Sequence, residues 1–273
     1  MPFELPKSLS PSKVTSFRDC ALAFRFNSIE HLPEDPTVWT VRGTLVHRVL
    51  EGLFWRYPQG SRSPASATAE LDGAWADLQA DPEYTALALA PDDADKFRSD
   101  AETLIQNYFT LEDPNEIAPV GIELLLEARV GSMRLRGILD RLDRTPDGEL
   151  VVIDYKTGRA PSPAYEQSKM IGVHMYALLC EEVLGQMPVQ VKLLHLKEPT
   201  TITAEPSEQS LRGQRLKTMA VWSAIELACH NEDFRPHTSP LCNYCRFRAF
   251  CPAYGGNPEE ASVALGATAS GAA

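Results

Sequence analysis

No run of about 18 apolar residues occurs in the 273-residue sequence, which excludes a membrane-spanning helix of ordinary length. The opening MPFELPKSLSPSK lacks the basic start and apolar stretch of a secretory leader, so a cytoplasmic location with no membrane partner is expected. G-x-x-x-x-G-K-[ST] is missing, which excludes a nucleotide-driven motor built on that loop. No internal repeat is found. Positive charge is also scarce: 26 Lys and Arg face 37 Asp and Glu, for a formal charge of -11. By sign alone that balance speaks against a polyanionic partner.

The distribution of charge changes the picture. Residues 66–117 carry thirteen acids against Lys96 and Arg98, which accounts for the whole net charge and leaves the rest of the chain neutral. Arg134, Arg136, Arg141, Arg144, Lys156 and Arg159 crowd around the stretch VVIDYKTG, residues 151–158. Two readings stand: a locally positive groove, or a solvated acidic face plus scattered arginines.

The remaining 44% hydrophobic content is normal for a globular protein. A capped helix is expected over 8–31, with Ser10 before Pro11, and a second over 42–55, where Leu45, Val46, Val49, Leu50, Leu53 and Phe54 recur at helical spacing and set His47 at the border of a buried face. Residues 57–117 read as an acidic, peripheral helical insertion with helix over 93–111. From Val120 the period changes to two, giving the strands GIELLLEARV, MRLRGILDRL and ELVVIDYKT. A helix over 164–184, a strand VQVKLLHLK and a helix over 207–230 follow. Residues 237–256 are Cys-rich, and 257–273 read as a disordered tail after a single domain over 1–256.

Thr145-Pro146-Asp147-Gly148 fits a type I turn closed by a glycine at positive φ. A three-residue loop pairs Thr145 with Glu149, and counting outward sets Asp140 opposite Asp154. Opposed side chains share a face about 4.5–5.5 Å apart, and Lys156, two residues on, joins them. Two carboxylates this close repel unless one takes a proton or a cation sits between them. Mg²⁺ or Mn²⁺, which accepts one or two carboxylates and keeps positions for water and phosphate, resolves the conflict. The plainer alternative is a Lys-Asp ion pair that holds a hairpin together.

GILDR followed by VVIDYKTG resembles the PD-(D/E)xK nuclease superfamily in its RecB-like form, and RGTLVH supplies the upstream G-x-x-x-H. The resemblance implies an α/β fold with a restriction-endonuclease-like core, a central mixed sheet flanked by helices. It implies His47, Asp140, Asp154 and the Tyr155 carbonyl as metal ligands, with Lys156 catalytic. Glu123 is the weaker further ligand and Glu127 its alternative. Imidazole among the ligands favours Mn²⁺ tolerance. Relatives carry Q-x-x-x-Y on the next helix; Tyr176 fits, but Gly172 stands at the glutamine position, and neither Gln167 nor His174 has the right spacing.

Cys242, Cys245 and Cys251 form C-x₂-C-x₅-C with Pro252 following, as in several iron-sulfur runs. Nucleases similar to the CRISPR-associated RecB-like enzymes and AddB close a [4Fe-4S] cluster with one N-terminal cysteine, here Cys20, joining the N- and C-terminal segments. A Cys₄ zinc site and free thiols remain as alternatives. Cys180 and Cys229 sit in apolar helical surroundings and read as core. The resemblance extends from Ser10 to Gly256, and its nearest form is the actinobacterial stand-alone RecB family exonuclease. It implies a metal-dependent exonuclease on single-stranded or frayed DNA ends in repair, with Arg141 and Arg159 on the backbone and a separate helicase or repair protein as partner. An inactive DNA-binding scaffold and an RNA nuclease are the rival readings.

Overall fold

Proline and small polar residues set the helix starts. In the computed structural model, which describes residues 3–161 and 163–265 and the side chains of all of these except 163–171, Ser10 accepts from the Lys13 amide at 3.2 Å and Pro11 opens α1 (Pro11–Asp19). The expected single helix over 8–31 breaks at Cys20, whose extended φ of -163° separates α1 from α2 (Ala21–Phe24) and a π-helical turn over Arg25–Ile29. Thr37 and Thr40 form a reciprocal cap at the start of α3 (Val38–Arg56). Three proline-led helices follow: α4 (Pro64–Leu78), α5 (Pro82–Ala86) and α6 (Pro91–Tyr108).

A five-stranded sheet comes next in the order β1 (Pro119–Val130), β2 (Met133–Arg144), β3 (Leu150–Lys156), β4 (Gln190–His195), β5 (Thr200–Ala204). β2 and β3 are antiparallel, β3 and β4 parallel, β4 and β5 antiparallel. The sheet is therefore mixed. α7 (Pro163–Leu184) makes the crossover that a parallel pair requires. α8 (Glu208–Asn231) and a run of short 3₁₀ turns from Pro240 to Tyr254 complete the main body. Past Gly256 the backbone forms a 3₁₀ turn at Pro258–Glu260 and α9 (Ala261–Ala264); residues 266–273 of the expected tail lie outside the described residues.

The chain divides into two compact units, one of Met1–Glu34, Glu127–Arg136 and Gln209–Ala273, the other of Asp35–Leu126 and Gly137–Glu208. In the second unit the apolar stripe of α3 is the centre of the core. Leu45, Val46, Val49, Leu50 and Leu53 are at most 1% exposed, and each contributes about 1.5–3 kcal/mol by burial. They pack with Leu71 of α4, Phe97 and Tyr108 of α6, and Ile153 and Tyr155 of β3. The acidic helices thus bury one face in this core rather than lying apart from it. In the first unit Leu9 bridges Leu135, Phe26 meets Phe247 at 4.9 Å, and Arg25 pairs with Glu30 at 2.6 Å.

Candidate active site

The hairpin between β2 and β3 has the expected register. Thr145 and Glu149 pair, Gly148 takes φ +86°, its N–H donates to the Thr145 carbonyl at 2.9 Å, and Arg141 stands across from Ile153. Next to that last pair, Asp140 reaches the residue after Asp154: the Tyr155 N–H donates to Asp140 Oδ2 at 2.6 Å. Asp154 is buried, Lys156 Nζ contacts its Oδ2, and the Tyr176 hydroxyl of α7 donates to the same carboxylate.

His47 approaches from α3. Its Nδ1 lies 3.4 Å from Asp140 Oδ1, and its ring stands edge-on to Tyr155 at 5.9 Å. Two glycines make the approach possible. A Cβ on Gly43 would meet Thr157 Oγ1 at 3.2 Å, and one on Gly137 would meet Leu179 Cδ1 at 2.7 Å and the Tyr176 ring at 3.3 Å. The G-x-x-x-H and G-x-x-D patterns therefore have a steric reason: their glycines let α3 and α7 close on the strands.

Glu123 completes the set. Its backbone takes φ +46°, a left-handed conformation that is unfavourable for a side-chain-bearing residue and rare inside a strand. One ligand atom each from His47, Glu123 and Asp140 lies within 4.8 Å of the others, and no other such group of three His, Cys, Asp or Glu occurs among the described residues. Glu127, the alternative, instead pairs with Arg134 and Arg136.

Electrostatically the site is strained toward a cation. Burial first, then the charge of Asp140, pushes the Glu123 carboxyl up to about 7. Burial likewise raises Asp154, with Asp140 adding to it and Lys156 opposing. His47 is raised as well: burial works to lower it, but the hydrogen bond and charge of Asp140 outweigh that, helped by Asp154 and Glu123. Carboxyls and an imidazole all shifted upward in one place mark a site where positive charge is favoured. One imidazole with hard carboxylates suits Mn²⁺ or Mg²⁺.

Arg141, expected on the DNA backbone, lies buried in the second unit. It is 1% exposed, with Nη1 at 2.6 Å from both the Tyr155 hydroxyl and Glu112 Oε1, Nε at 2.8 Å from Asp143 Oδ1, and its guanidinium over Phe54. Strand alternation explains the correction: the residue after Asp140 must face the opposite side, as Asp143 does two residues later. Glu112, Tyr108 and Asp143 are not among the expected site residues; alternation is the signal for Asp143, whereas Tyr108 closes α6 and Glu112 follows it, with no strand pattern to mark them. The expected positive groove is likewise mostly committed elsewhere. Arg144 donates to the Gly148 carbonyl, and the exposed Arg159 lies 3.5 Å from Glu198. Gly172 stands on α7 one turn before Tyr176, with no side chain to offer, and the Gln167 side chain lies outside the described residues.

None of the six cysteines forms a disulfide. Cys180 and Cys229 are buried, whereas Cys20, Cys242, Cys245 and Cys251 line one cavity together with Leu22, Phe26 and Phe247. No three of these sulfurs come within 4.8 Å of one another. Burial raises the Cys245 thiol, while hydrogen bonds from the Ser239 backbone and from Tyr254 lower Cys242.

A family model described as the PD-(D/E)XK nuclease superfamily matches residues 8–252. The chain belongs to that superfamily, whose members use divalent metal ions. Among solved structures, a candidate exonuclease from Eubacterium rectale is similar over 88% of this chain and 87% of that one, at 11% identity and a TM-score of 0.53. The crystal structure of SSO0001 aligns over 92% of this chain and 88% of that one, at 13% identity and a TM-score of 0.42. At 11% identity the likeness to the exonuclease structure concerns the fold alone. No curated protein matches. Among the described residues no helix is long and apolar enough to cross a membrane.

Proposed function

We propose that the chain is a metal-dependent DNA nuclease of RecB-like type that hydrolyses phosphodiester bonds as an exonuclease on single-stranded or frayed ends. The observation that carries this reading is the convergence of His47, Glu123 and Asp140 beside the buried Asp154 and its lysine partner. His47, Glu123, Asp140, Asp154 and the Tyr155 carbonyl would hold Mg²⁺ or Mn²⁺. When bound, such an ion supplies Lewis-acid activation of water and neutralises developing charge on the phosphate.

The chain's own residues do the rest. Lys156, half-exposed beside Asp154, is free to turn its ammonium toward a phosphate oxygen or an attacking water. Tyr176 donates to Asp154 and fixes the carboxylate's orientation, and the Tyr155 amide does the same for Asp140. Arg159 is the exposed cation we assign to the DNA backbone. Cleavage of end-labelled single-stranded DNA, duplex DNA and RNA in Mn²⁺, with chelator controls, tests the reading. DNA shortened from an end supports it. Binding without hydrolysis favours a DNA-binding scaffold, and preferential RNA cleavage an RNA nuclease.

We further infer that Cys20, Cys242, Cys245 and Cys251 hold a [4Fe-4S] cluster. One observation supports this: Cys20, at the break between α1 and α2, lines the same cavity as Cys242, Cys245 and Cys251. A cluster would join the N-terminal helix to the C-terminal turns within the first unit. Its role in this reading is structural.

A further inference from the structure

Trp39, in the first turn of α3, is 64% exposed, although indole rings gain most from burial. Its surroundings are not those of a random surface aromatic. The Arg42 guanidinium carbon lies 4.7 Å from the ring centroid and Lys197 Nζ 5.2 Å. Arg42 is itself buried, and Asp100 Oδ2 fixes it at 2.6 Å, so one support of the indole is rigid. Lys197 is exposed, and its ammonium is free to leave the ring.

Both supports lead directly to the catalytic strand. Gly43, one helical turn beyond Trp39, is the residue that packs against Thr157, next to Lys156. Leu196, next to Lys197, donates its N–H to the Lys156 carbonyl at 2.8 Å. An exposed aromatic flanked by two cations thus stands where the two elements that border Lys156 meet.

We propose that Trp39, Arg42 and Lys197 form a subsite for an unpaired base of the substrate strand, with the base stacked on the indole and an adjoining phosphate taken by Lys197. The inference rests on the nuclease reading and deepens it, because it names what the enzyme selects. A stacking platform needs the open face of a base, which duplex DNA offers only at frayed ends, and stacking tolerates any base. Aromatic stacking beside cations is the chemistry of single-strand binding, whereas non-specific duplex binding rests on phosphate contacts.

Binding of a single-stranded oligothymidylate to the full chain, in chelator so that no cleavage occurs, tests the proposal alongside an abasic strand of equal length. Trp39→Ala is expected to weaken oligothymidylate binding about 5- to 100-fold. It should leave the weaker binding of the abasic strand unchanged, and Trp39→Phe should recover most of the loss. In Mn²⁺ the loss should appear in KM, with kcat near wild type. The ring is largely exposed, so the substitution should hardly alter stability. Equal oligothymidylate binding by wild type and Trp39→Ala overturns the subsite while wild-type cleavage leaves the nuclease reading intact. Equal losses on both strands also overturn it, since a backbone contact would explain them. Absence of both wild-type binding and cleavage contradicts the nuclease reading and the subsite together.

Discussion

Tyr155 is held from both ends: its N–H donates to Asp140 Oδ2 at 2.6 Å, and its hydroxyl accepts from Arg141 Nη1 at 2.6 Å. The residue between Asp154 and Lys156 therefore links the carboxylates on one face of the sheet to a buried cation on the other. Rigidity at the site depends on a charge that never touches substrate.

Arg141→Met should destabilise the protein by about 3–5 kcal/mol, because Glu112 and Asp143 lose their buried cation. Tyr155→Phe keeps the ring and the amide donor and should cost roughly 1.5–3 kcal/mol. Urea unfolding in chelator measures both. Wild-type stability in Arg141→Met would show that the buried charge contributes nothing net.

Gly137→Ala places a methyl against Leu179 and the Tyr176 ring. Overpacking of this kind costs about 1–3 kcal/mol, and it pushes α7 away from Asp154. Cleavage should fall by more than the stability loss accounts for at a temperature where the variant is fully folded. Unchanged turnover in folded Gly137→Ala would remove Tyr176 from the orientation of Asp154.

Without metal, stability should fall as pH rises from about 4.5 to about 7. Glu123 has a folded pKa near 7, above its ordinary 4.5, so the folded state binds more protons across that window and loses this advantage as they leave. His47, also raised, contributes stability below its ordinary 6.5 that is lost as pH climbs through its folded value. Thermal melts in chelator at stepped pH measure the slope, and Glu123→Gln should flatten it. Mn²⁺ should restore stability most at high pH, where the proton no longer competes. A melt that rises with pH in chelator would contradict the electrostatics of the site.

Anaerobically purified protein should be brown, with iron and acid-labile sulfide in equal amounts, and Cys20→Ser or Cys245→Ser should bleach it and lower the melting temperature. Stoichiometric zinc in a colourless protein would assign the cavity to a Cys₄ zinc site, and metal-free thiols with wild-type stability in both variants would leave it without a structural group.

The hairpin is legible in full from sequence because Pro146, Asp147 and Gly148 dictate one turn, and one turn dictates one register. His47 is legible from the apolar period of α3, which leaves the residue at the edge of its buried stripe. Arg141 misleads because proximity in sequence to Asp140 suggests a shared surface, whereas a strand sends neighbours to opposite faces. Glu123 is ambiguous for a related reason: its left-handed φ interrupts the alternation that would otherwise rank it against Glu127. The break at Cys20 carries no local signal, since residues on both sides favour helix. β5, Thr200–Ala204, escapes the pattern because it is short and mostly exposed and so lacks the buried alternation that marks the other strands.

If His47, Glu123, Asp140, Asp154 and Lys156 form one hydrolytic centre, removing either the buried acid or its lysine must stop the chemistry without unfolding the chain. The decisive quantity is the rate of shortening of end-labelled single-stranded DNA across a Mn²⁺ titration, for wild type, Asp154→Ala and Lys156→Ala with matched far-UV spectra. Metal-dependent cleavage by wild type, reduced at least about 100-fold in both variants, is the predicted result. Near-normal turnover in either folded variant would contradict it.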